Sequence, residues 1–403
     1  MKPRAFLRDL FDAAVEAALP KPEWFAGLEP PCGRTIVVGA GKAAASMARA
    51  FEAAWPRPVE GLVVTRYGHA TPTERIEVVE AAHPVPNAAG LAAAERVLSM
   101  VQGLTADDLV VALISGGGSS LLSLPALGVT LEEKAALTRE LLRCGAPISE
   151  VNAVRKGLSR IKGGRLLAAA RPARVVTFVV SDVPGDNPSL VASGPTVSDR
   201  TAPGEALRVI ERYGLEVSAA ALRLLQMPSQ RDDAHAGECR IVASARISLE
   251  ASAAWARPLG IEAQILSDRV EGEAREVARE HARLALGARG PCVLLSGGET
   301  TVTVHGKGRG GRNVEFLAAL AQVLDGRAGI YALAADTDGI DGTEPTAGAF
   351  IDPTTVRRAG DRLAQALAEN DAHALFEALG DRLVTGPTLT NVNDFRAILI
   401  LRS

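Results

Sequence analysis

The chain has 403 residues, 47% of them hydrophobic, so about two domains with sizeable cores are expected. Its 44 Lys and Arg residues nearly balance its 47 Asp and Glu residues, which argues against a nucleic-acid-binding protein, because such proteins carry excess basic charge. The four cysteines form no CxxC pair, so no zinc or redox motif is expected. No apolar run approaches the roughly 18 residues that span a bilayer, so no membrane partner is expected.

The first twenty residues predict an amphipathic helix rather than a secretion signal. Phe6, Leu10, Phe11 and Val15 fall on one helical face, and acidic residues interrupt the segment soon after its basic start. We therefore expect a cytoplasmic protein with an amphipathic helix in this segment.

Short β-branched runs alternate with segments of helical periodicity along the whole chain. Most of these runs are apolar throughout, which is typical of strands covered by helices on both faces. We predict an α/β fold with two α/β domains, residues 1–235 and 236–403, divided within the polar stretch SQRDDAHAGE. Ligands of open α/β sheets bind at the carboxyl ends of strands, so residues that follow each run are candidate site residues. The runs are 35–39, 61–65, 109–115, 174–181, 241–244, 292–297 and 330–336.

The first run ends in GAGKAA, which fits the G-x-G-x-x-A pattern of a dinucleotide-binding turn through Gly39, Gly41 and Ala44. It predicts a Rossmann-like parallel sheet with helices on both faces for the first domain. A dinucleotide site would also place an acidic residue at the end of the second strand, but that run leads into Arg66. Lys42 in the first helical turn instead favours an anion site with this cation directed into it. A plain strand-to-helix turn is the alternative.

Glycine-rich segments follow two later runs and repeat the same letters. The third run leads into SGGGSS, whose backbone N–H groups and hydroxyls suit a phosphate or a carboxylate, and a later run leads into SGGE. No Walker A pattern occurs, which argues against an ordinary P-loop kinase. We expect two glycine loops that hold two anionic ligands. Their candidate binding residues are Ser115, Gly116, Gly117, Gly118, Ser119, Gly297, Gly298 and Glu299.

Acidic residues follow two further runs. Asp182 and Asn187 lie in SDVPGDNPS, and Asp338 lies in DTDGIDG. Carboxylates beside a phosphate loop suit Mg²⁺, which binds a few carboxylates together with phosphate oxygens, whereas a rigid turn is the alternative. Asp182 and Asp338 are therefore candidate metal ligands or proton acceptors, and Asn187 is a candidate substrate ligand.

The segment GKGRGGRNVE interleaves four glycines with three cations, which are Lys307, Arg309 and Arg312. An exposed basic loop is one interpretation of this pattern. The other is a phosphate site, because arginine can spread the charge of a transferring phosphoryl group. The histidines, among them His83 and His305, show no arrangement with acidic residues that is typical of a proton relay.

Taken in order, these motifs resemble the glycerate 2-kinases of the MOFRL type. The resemblance runs through nearly the whole chain and rests on VVGAGKAAASMA, HPVPNAAG, LISGGGSSLL, SDVPGDNPSLVASGPTV, GKGRGGRNVE, DTDGIDGTEPTAGA and TGPTLTNVND. It implies an active site in the cleft between the two domains and transfer of the ATP γ-phosphoryl group to the 2-hydroxyl of D-glycerate, with Mg²⁺. It also implies a catalytic lysine and a catalytic arginine, here Lys42 and Arg312. The family often has glycine at the position of Leu389.

On this hypothesis, Lys42 and Arg312 stabilise the γ-phosphate, and the glycine loops, including Gly39 and Gly41, hold anions through backbone N–H groups. Arg155, Lys156 and Lys162 are candidates for binding the carboxylate of glycerate, with an ordinary helix-surface charge as their alternative. We expect a monomer or homodimer whose partners are small molecules. One alternative function is an NAD(P)H-dependent hydroxypyruvate reductase, and another is a non-catalytic sensor of nucleotides or sugar phosphates.

Overall fold

A computed structural model describes residues 1–199, 201–202, 204–227 and 237–401, which form two units. The Lys42 unit comprises Pro20–Ser181 and Asn187–Val242, and the Arg312 unit comprises Met1–Leu19, Asp182–Asp186 and Ala243–Ser403. The predicted domains, 1–235 and 236–403, divide the chain differently, because the first helix and a five-residue loop belong with the C-terminal unit. The predicted boundary between residues 235 and 236 lies in a segment, 228–236, that is outside the described residues.

The Lys42 unit is built on a six-stranded sheet with the order β3-β2-β1-β4-β5-β6. The four pairings among β1 to β5 are parallel, as predicted for this half of the chain. Every residue of β1 and β4 is buried, which explains why their sequences are apolar without alternation. The strands are β1 Thr35–Ala40, β2 Glu60–Arg66, β3 Ile76–Ala81, β4 Leu109–Ser115, β5 Arg174–Val180 and β6 Glu238–Ala243.

The helices of the Lys42 unit begin with side-chain caps at several points. Asn87, Thr130 and Ser218 each accept a hydrogen bond from a backbone N–H in the first turn of the helix that follows. Four of the helices, α5, α6, α8 and α9 in the ranges below, share a separate apolar cluster. The helices are α2 Ala44–Ala54, α3 Ala88–Met100, α4 Gly118–Leu121, α5 Leu131–Arg143, α6 Ile148–Gly157, α7 Arg165–Ala169, α8 Glu205–Arg212 and α9 Ala219–Gln226.

The Arg312 unit has a second six-stranded sheet, with the order β11-β10-β9-β12-β8-β7. This sheet is mixed, whereas the apolar strands suggested parallel pairing. The β7 and β8 strands are parallel, but β12 is antiparallel to both β8 and β9, and β10 is antiparallel to β9 and β11. The strands are β7 Glu262–Glu273, β8 Cys292–Thr301, β9 Ile330–Asp336, β10 Gly348–Ile351, β11 Arg382–Leu383 and β12 Asp394–Ile400.

Helices cover both faces of this second sheet, so the α/β class is confirmed for both units. The first helix is amphipathic as predicted: its buried residues Phe6 and Phe11 contact Trp255 and Phe395 at ring-centroid distances of 5.4 and 5.9 Å. No helix in the described ranges is both long and apolar enough to cross a membrane. The helices are α1 Pro3–Ala18, α10 Ala245–Ala256, α11 Ala274–Gly287, α12 Arg312–Leu324, α13 Thr355–Ala359, α14 Arg362–Glu369 and α15 Ala372–Leu379.

Candidate active site

The GAGK turn and the SGGGSS loop pack directly on each other in the Lys42 unit. They follow β1 and β4, which are adjacent and parallel, so both segments leave the same edge of the sheet. The backbone N–H of Lys42 donates to the carbonyl of Gly116 at 2.8 Å, and the N–H of Ala43 donates to Ser115 Oγ at 3.0 Å. Gly41 has φ +138°, and a Cβ there would lie 2.1 Å from Ser115 Oγ. Glycine at this position therefore permits the close contact of the two segments.

The SGGGSS segment follows a buried strand, as predicted, and leads directly into the short helix α4, which was not predicted. Gly117 adopts φ +79°, and α4 begins at Gly118. A Cβ on Gly117 would lie 3.0 Å from His83 Nε2 and 3.4 Å from Cγ of Lys42. His83 thus lies beside the predicted catalytic lysine, although sequence reasoning gave the histidines no role. Its position in the fold could have indicated a role, because His83 follows the carboxyl end of β3 and ligands of α/β sheets bind at such strand ends.

The far side of the SGGGSS loop is fixed by hydroxyls and a buried lysine. Ser119 Oγ and Ser193 Oγ are 2.6 Å apart, and Ser193 Oγ donates to Asn152 Oδ1 at 3.3 Å. Lys162 Nζ donates to the carbonyl of Ser119, within the short helix α4, at 2.8 Å and to the carbonyl of Leu122, the C-cap of that helix, at 2.9 Å. The loop therefore has little freedom within its own unit.

Arg155 lies in α6 next to this network, within a group of buried cations. Burial, with the charge of Arg155 nearby, lowers the pKa of Lys134 to about 7 and holds that of Lys162 well below its usual range. Lys134 and Lys162 donate to backbone carbonyls, but Arg155 forms no hydrogen bond or ion pair with any residue in the described ranges. Burial alone lowers the pKa of Arg155, with no carboxylate opposing it. A guanidinium in this setting suits an anionic ligand.

The predicted ligand Asn187 has a local role in the structure. Its Oδ1 accepts hydrogen bonds from the backbone N–H of Ser189 at 3.1 Å and from Ser189 Oγ at 2.9 Å. This arrangement is an Asx turn, which is the rigid-turn alternative for this segment.

Arg312 is the first residue of α12, and its guanidinium is held by three carboxylates of the Arg312 unit. Nε donates to Asp394 at 2.6 Å, Nη2 donates to Asp336 at 2.7 Å, and Nη1 donates to Glu299 at 2.8 Å. Burial opposes the charge of Arg312, but the three carboxylates outweigh it and raise its pKa well above the ordinary value. The side chain retains 23% exposure, so part of the guanidinium faces solvent.

Arg309, three residues earlier, points to other partners. Its guanidinium is half exposed and pairs with Glu377 at 3.1 Å and with Glu344 at 3.5 Å. The two arginines of the glycine-rich segment therefore differ: Arg309 fits the exposed-loop interpretation, and Arg312 is organised by buried acids.

Asp394 is the centre of the acidic group that holds Arg312. Besides Arg312, it accepts hydrogen bonds from buried Arg396, from Asn313 Nδ2 at 2.8 Å and from the backbone N–H of Thr300 at 3.2 Å. Burial disfavours its charge, yet the two arginines lower its pKa below the usual value. Of these four donors to Asp394, only Arg312 was predicted.

Asp182 and Asp338 both lie in the Arg312 unit and are tied to the loop that precedes β12. Asn391 Nδ2 donates to Asp182 Oδ2 at 3.4 Å. Thr337 donates to the carbonyl of Asn393 through its backbone N–H at 3.0 Å and through Oγ1 at 2.7 Å. The backbone N–H of Asp338 donates to Asp336 Oδ1 at 3.1 Å, which connects Asp338 to the acids around Arg312.

The prediction of a second glycine loop at SGGE is wrong. Gly297, Gly298 and Glu299 lie inside β8, which continues to Thr301 and pairs with β12 and β7. A Cβ on Gly298, where φ is +132°, would lie 2.3 Å from the backbone N and O of Val270, at a register shift in β7. The glycine is needed for the close approach of β7. Of the three predicted residues, Glu299 alone contributes a side chain, which binds Arg312.

The predicted site residues therefore form two groups, one in each unit. Gly39, Gly41, Lys42, Ser119 and Arg155 belong to the Lys42 unit with the rest of the SGGGSS loop. Asp182, Asp338, Glu299 and Arg312 belong to the Arg312 unit.

Comparison with known proteins gives matches along the whole chain. One family model, described as a domain of unknown function, DUF4147, matches residues 6–226, and one described as the MOFRL family matches residues 292–394. An Agrobacterium vitis protein provisionally named hydroxypyruvate reductase is 53% identical over 98% of this chain and 94% of its own. The D-glycerate 2-kinase of Thermotoga maritima is 38% identical over 97% of this chain and 94% of its own.

A solved structure gives the same result for the fold. The crystal structure of glycerate kinase from Thermotoga maritima matches with a TM-score of 0.90 and 36% identity, and the match covers 99% of each chain. With both family models matched in order and these identities sustained over nearly the full length, the chain belongs to the MOFRL-type glycerate kinase family.

Proposed function

We propose that the protein is a glycerate 2-kinase, which transfers the γ-phosphoryl group of ATP to the 2-hydroxyl of D-glycerate and gives 2-phospho-D-glycerate and ADP. The observation that carries this proposal is the match to the Thermotoga maritima D-glycerate 2-kinase over 97% of the chain. Lys42 lies between β1 and α2, the glycines of SGGGSS connect β4 to α4, and Arg312 begins α12. These positions support the proposal.

Phosphoryl transfer depends on positioning and on neutralising the charge of the γ-phosphate. We assign this neutralisation to Lys42 and Arg312. The contact of the Lys42 backbone with Gly116 fixes the lysine at the start of α2, where backbone N–H groups also favour an anion. The three carboxylates fix Arg312 before any ligand arrives, so little reorganisation is needed when phosphate charge develops.

We assign the carboxylate of glycerate to Arg155. Its guanidinium lies near Lys134 and Lys162 and forms no ion pair with a described residue, so an anionic ligand supplies the missing counter-charge. The hydroxyls of Ser119 and Ser193 lie on the adjoining network and can orient the hydroxyl groups of the same substrate. A site that binds both the carboxylate and the hydroxyl groups at one end of the SGGGSS loop would select a small hydroxy acid.

Kinase chemistry implies Mg²⁺, which neutralises phosphate charge when bound with ATP. Within the described ranges, no three His, Cys, Asp or Glu side chains are grouped to hold a metal ion. A nucleotide-bound Mg²⁺ needs only one or two protein carboxylates, because phosphate oxygens and water fill its other positions. Asp182 and Asp338 fit that donor set, and we assign them to it.

The test is a mixture of the enzyme, D-glycerate and MgATP in which ADP release is followed. Added enolase then consumes 2-phosphoglycerate directly, whereas the 3-isomer would need a mutase first. ADP release with an enolase signal supports a 2-kinase. ADP release without that signal contradicts the position of transfer, and the absence of ADP contradicts the kinase.

A hydroxypyruvate reductase remains the second candidate because the Agrobacterium vitis relative carries that provisional name. Against it, β2 ends in Thr65 and Arg66, without the acid that binds the ribose hydroxyls of a dinucleotide. Oxidation of NADH by hydroxypyruvate, with no ADP formed from glycerate and ATP, would favour the reductase.

A further inference from the structure

We infer that His83 is the proton acceptor of the reaction, taking the proton of the substrate hydroxyl at Nε2. This inference rests on the proposed kinase function and adds a residue that neither the motif analysis nor the comparisons assign.

The register of the sheet brings His83 to the edge where Lys42 and the SGGGSS loop lie. Ala40 pairs with Val64 of β2 and with Ile114 of β4, and Arg66 of β2 pairs with Ala81, the last residue of β3. The strands β1 to β4 thus end at similar heights. The residues that follow them meet at one edge, and His83 is the second residue after β3.

The loop from residue 82 to residue 87 holds His83 in place. Asn87 Oδ1 accepts a hydrogen bond from the N–H of Ala82 at 3.3 Å and from the N–H of Gly90 at 3.2 Å, so one side chain closes the loop and caps α3. Pro84 and Pro86 restrict the backbone between these points. The imidazole is therefore carried by a short, constrained loop, as a catalytic group needs to be.

The contacts at Gly117 place the imidazole and the lysine side by side. The space that a Cβ of Gly117 would fill is bordered by Nε2 and Cδ2 of His83, at 3.0 and 3.1 Å, and by Cγ of Lys42 at 3.4 Å. If Lys42 binds the γ-phosphate, the attacking hydroxyl must lie about 3–3.5 Å from that phosphorus. A proton acceptor must then lie within hydrogen-bond reach of this hydroxyl and therefore close to Lys42, which is where the imidazole of His83 lies.

The chemistry balances without a further reactant. The O–H bond of the substrate hydroxyl breaks and its proton bonds to Nε2 of neutral His83. The oxygen forms a bond to the γ-phosphorus while the bond to the bridging oxygen of ATP breaks, and that electron pair leaves with ADP. The imidazolium then returns its proton to water.

The decisive variants are His83→Gln and His83→Ala in the full-length enzyme. Gln places an amide N–H donor near the position of Nε2. The variant can therefore still donate a hydrogen bond to phosphate, but it cannot accept the proton of the substrate hydroxyl. We expect His83→Gln to lower kcat by about 10²–10⁴-fold with ATP affinity, measured by calorimetry, within about threefold of the original enzyme. We expect added imidazole to restore part of the kcat of His83→Ala.

The matched control is His305→Gln, an exposed histidine in the other unit, which should retain its kcat. A fully active His83→Gln enzyme, or one whose loss lies in ATP affinity alone, would overturn the inference, and so would the absence of imidazole rescue. If the unaltered enzyme fails to phosphorylate D-glycerate, the proposed function fails instead, so the two failures are distinguishable.

Discussion

The three ion pairs of Arg312 make replacement of this residue the sharpest test of the proposed site. Lys carries its three N–H donors on a single nitrogen at the end of a flexible stem, whereas Arg312 reaches the three carboxylates through three separate nitrogens, so Arg312→Lys should leave part of this acidic group unpaired. Arg312→Ala removes the charge altogether. We expect kcat to fall about 10³-fold or more in the alanine variant, the range of an arginine that stabilises a transferring phosphoryl group.

The same contacts set the cost in stability. Removing one partner of a buried ion pair costs about 3–5 kcal/mol, and screening by solvent reduces that value here because Arg312 is 23% exposed. Asp394 also retains Arg396 and Asn313 as partners. We therefore expect Arg312→Ala to lower the free energy of unfolding by about 2–3 kcal/mol, measured by urea denaturation.

The control is Arg309→Lys in the same segment. Arg309 is half exposed and its ion pairs are with surface acids, so this variant should keep its kcat and lose at most about 0.5 kcal/mol of stability. Steady-state ADP release with saturating D-glycerate and ATP measures the activity of all three variants. An Arg312→Lys enzyme with kcat within threefold of the original would refute the role assigned to this guanidinium.

Three further predictions concern the stability of single positions. Lys134 loses its proton near pH 7 in the folded state but only above pH 10 in the unfolded state, so the unfolded state binds more protons between these values. The free energy of unfolding, measured by urea denaturation, should therefore rise by up to about 1.4 kcal/mol per pH unit above pH 7. Lys134→Met should abolish that rise. Leu389 has φ +65°, so Leu389→Gly should raise the free energy of unfolding by about 0.5–1 kcal/mol, and an unchanged midpoint would contradict the strain. Gly41→Ala should lower stability by about 2–4 kcal/mol and kcat at least tenfold, because its Cβ would collide with Ser115; wild-type activity would disprove the close packing of the two segments.

The Lys42 unit could be predicted well because its signals are local. The runs that form β1, β2, β4 and β5 are buried over most of their length, and the glycine patterns after β1 and β4 mark the same edge of a parallel sheet. The contact between Lys42 and Gly116 follows from that rule without knowledge of the loop's geometry. His83 was not predicted as a site residue because β3, IEVVEA, carries two glutamates and does not resemble a buried strand. The residues after it were therefore not treated as following a strand.

The Arg312 unit was harder because its key contacts join distant segments. The segment SGGE has the letters of a loop, yet the close approach of β7 makes its glycines part of a strand. Likewise β12 was not predicted, since Arg396 interrupts an apolar run and a charge there suggests solvent. In the structure that charge is buried, paired with Asp394 and bonded to Thr300. No local pattern indicates such compensation.

The position of α1 has a consequence for synthesis of the chain. Its buried side chains Phe6 and Phe11 contact Trp255 and Phe395, so the partners of this helix are made long after it. At typical translation rates of about 5–20 residues per second, the face of Phe11 waits roughly 20–80 s for Phe395. This apolar helix face thus lacks these partners while the Lys42 unit is translated, which makes the nascent chain a candidate client for holding chaperones.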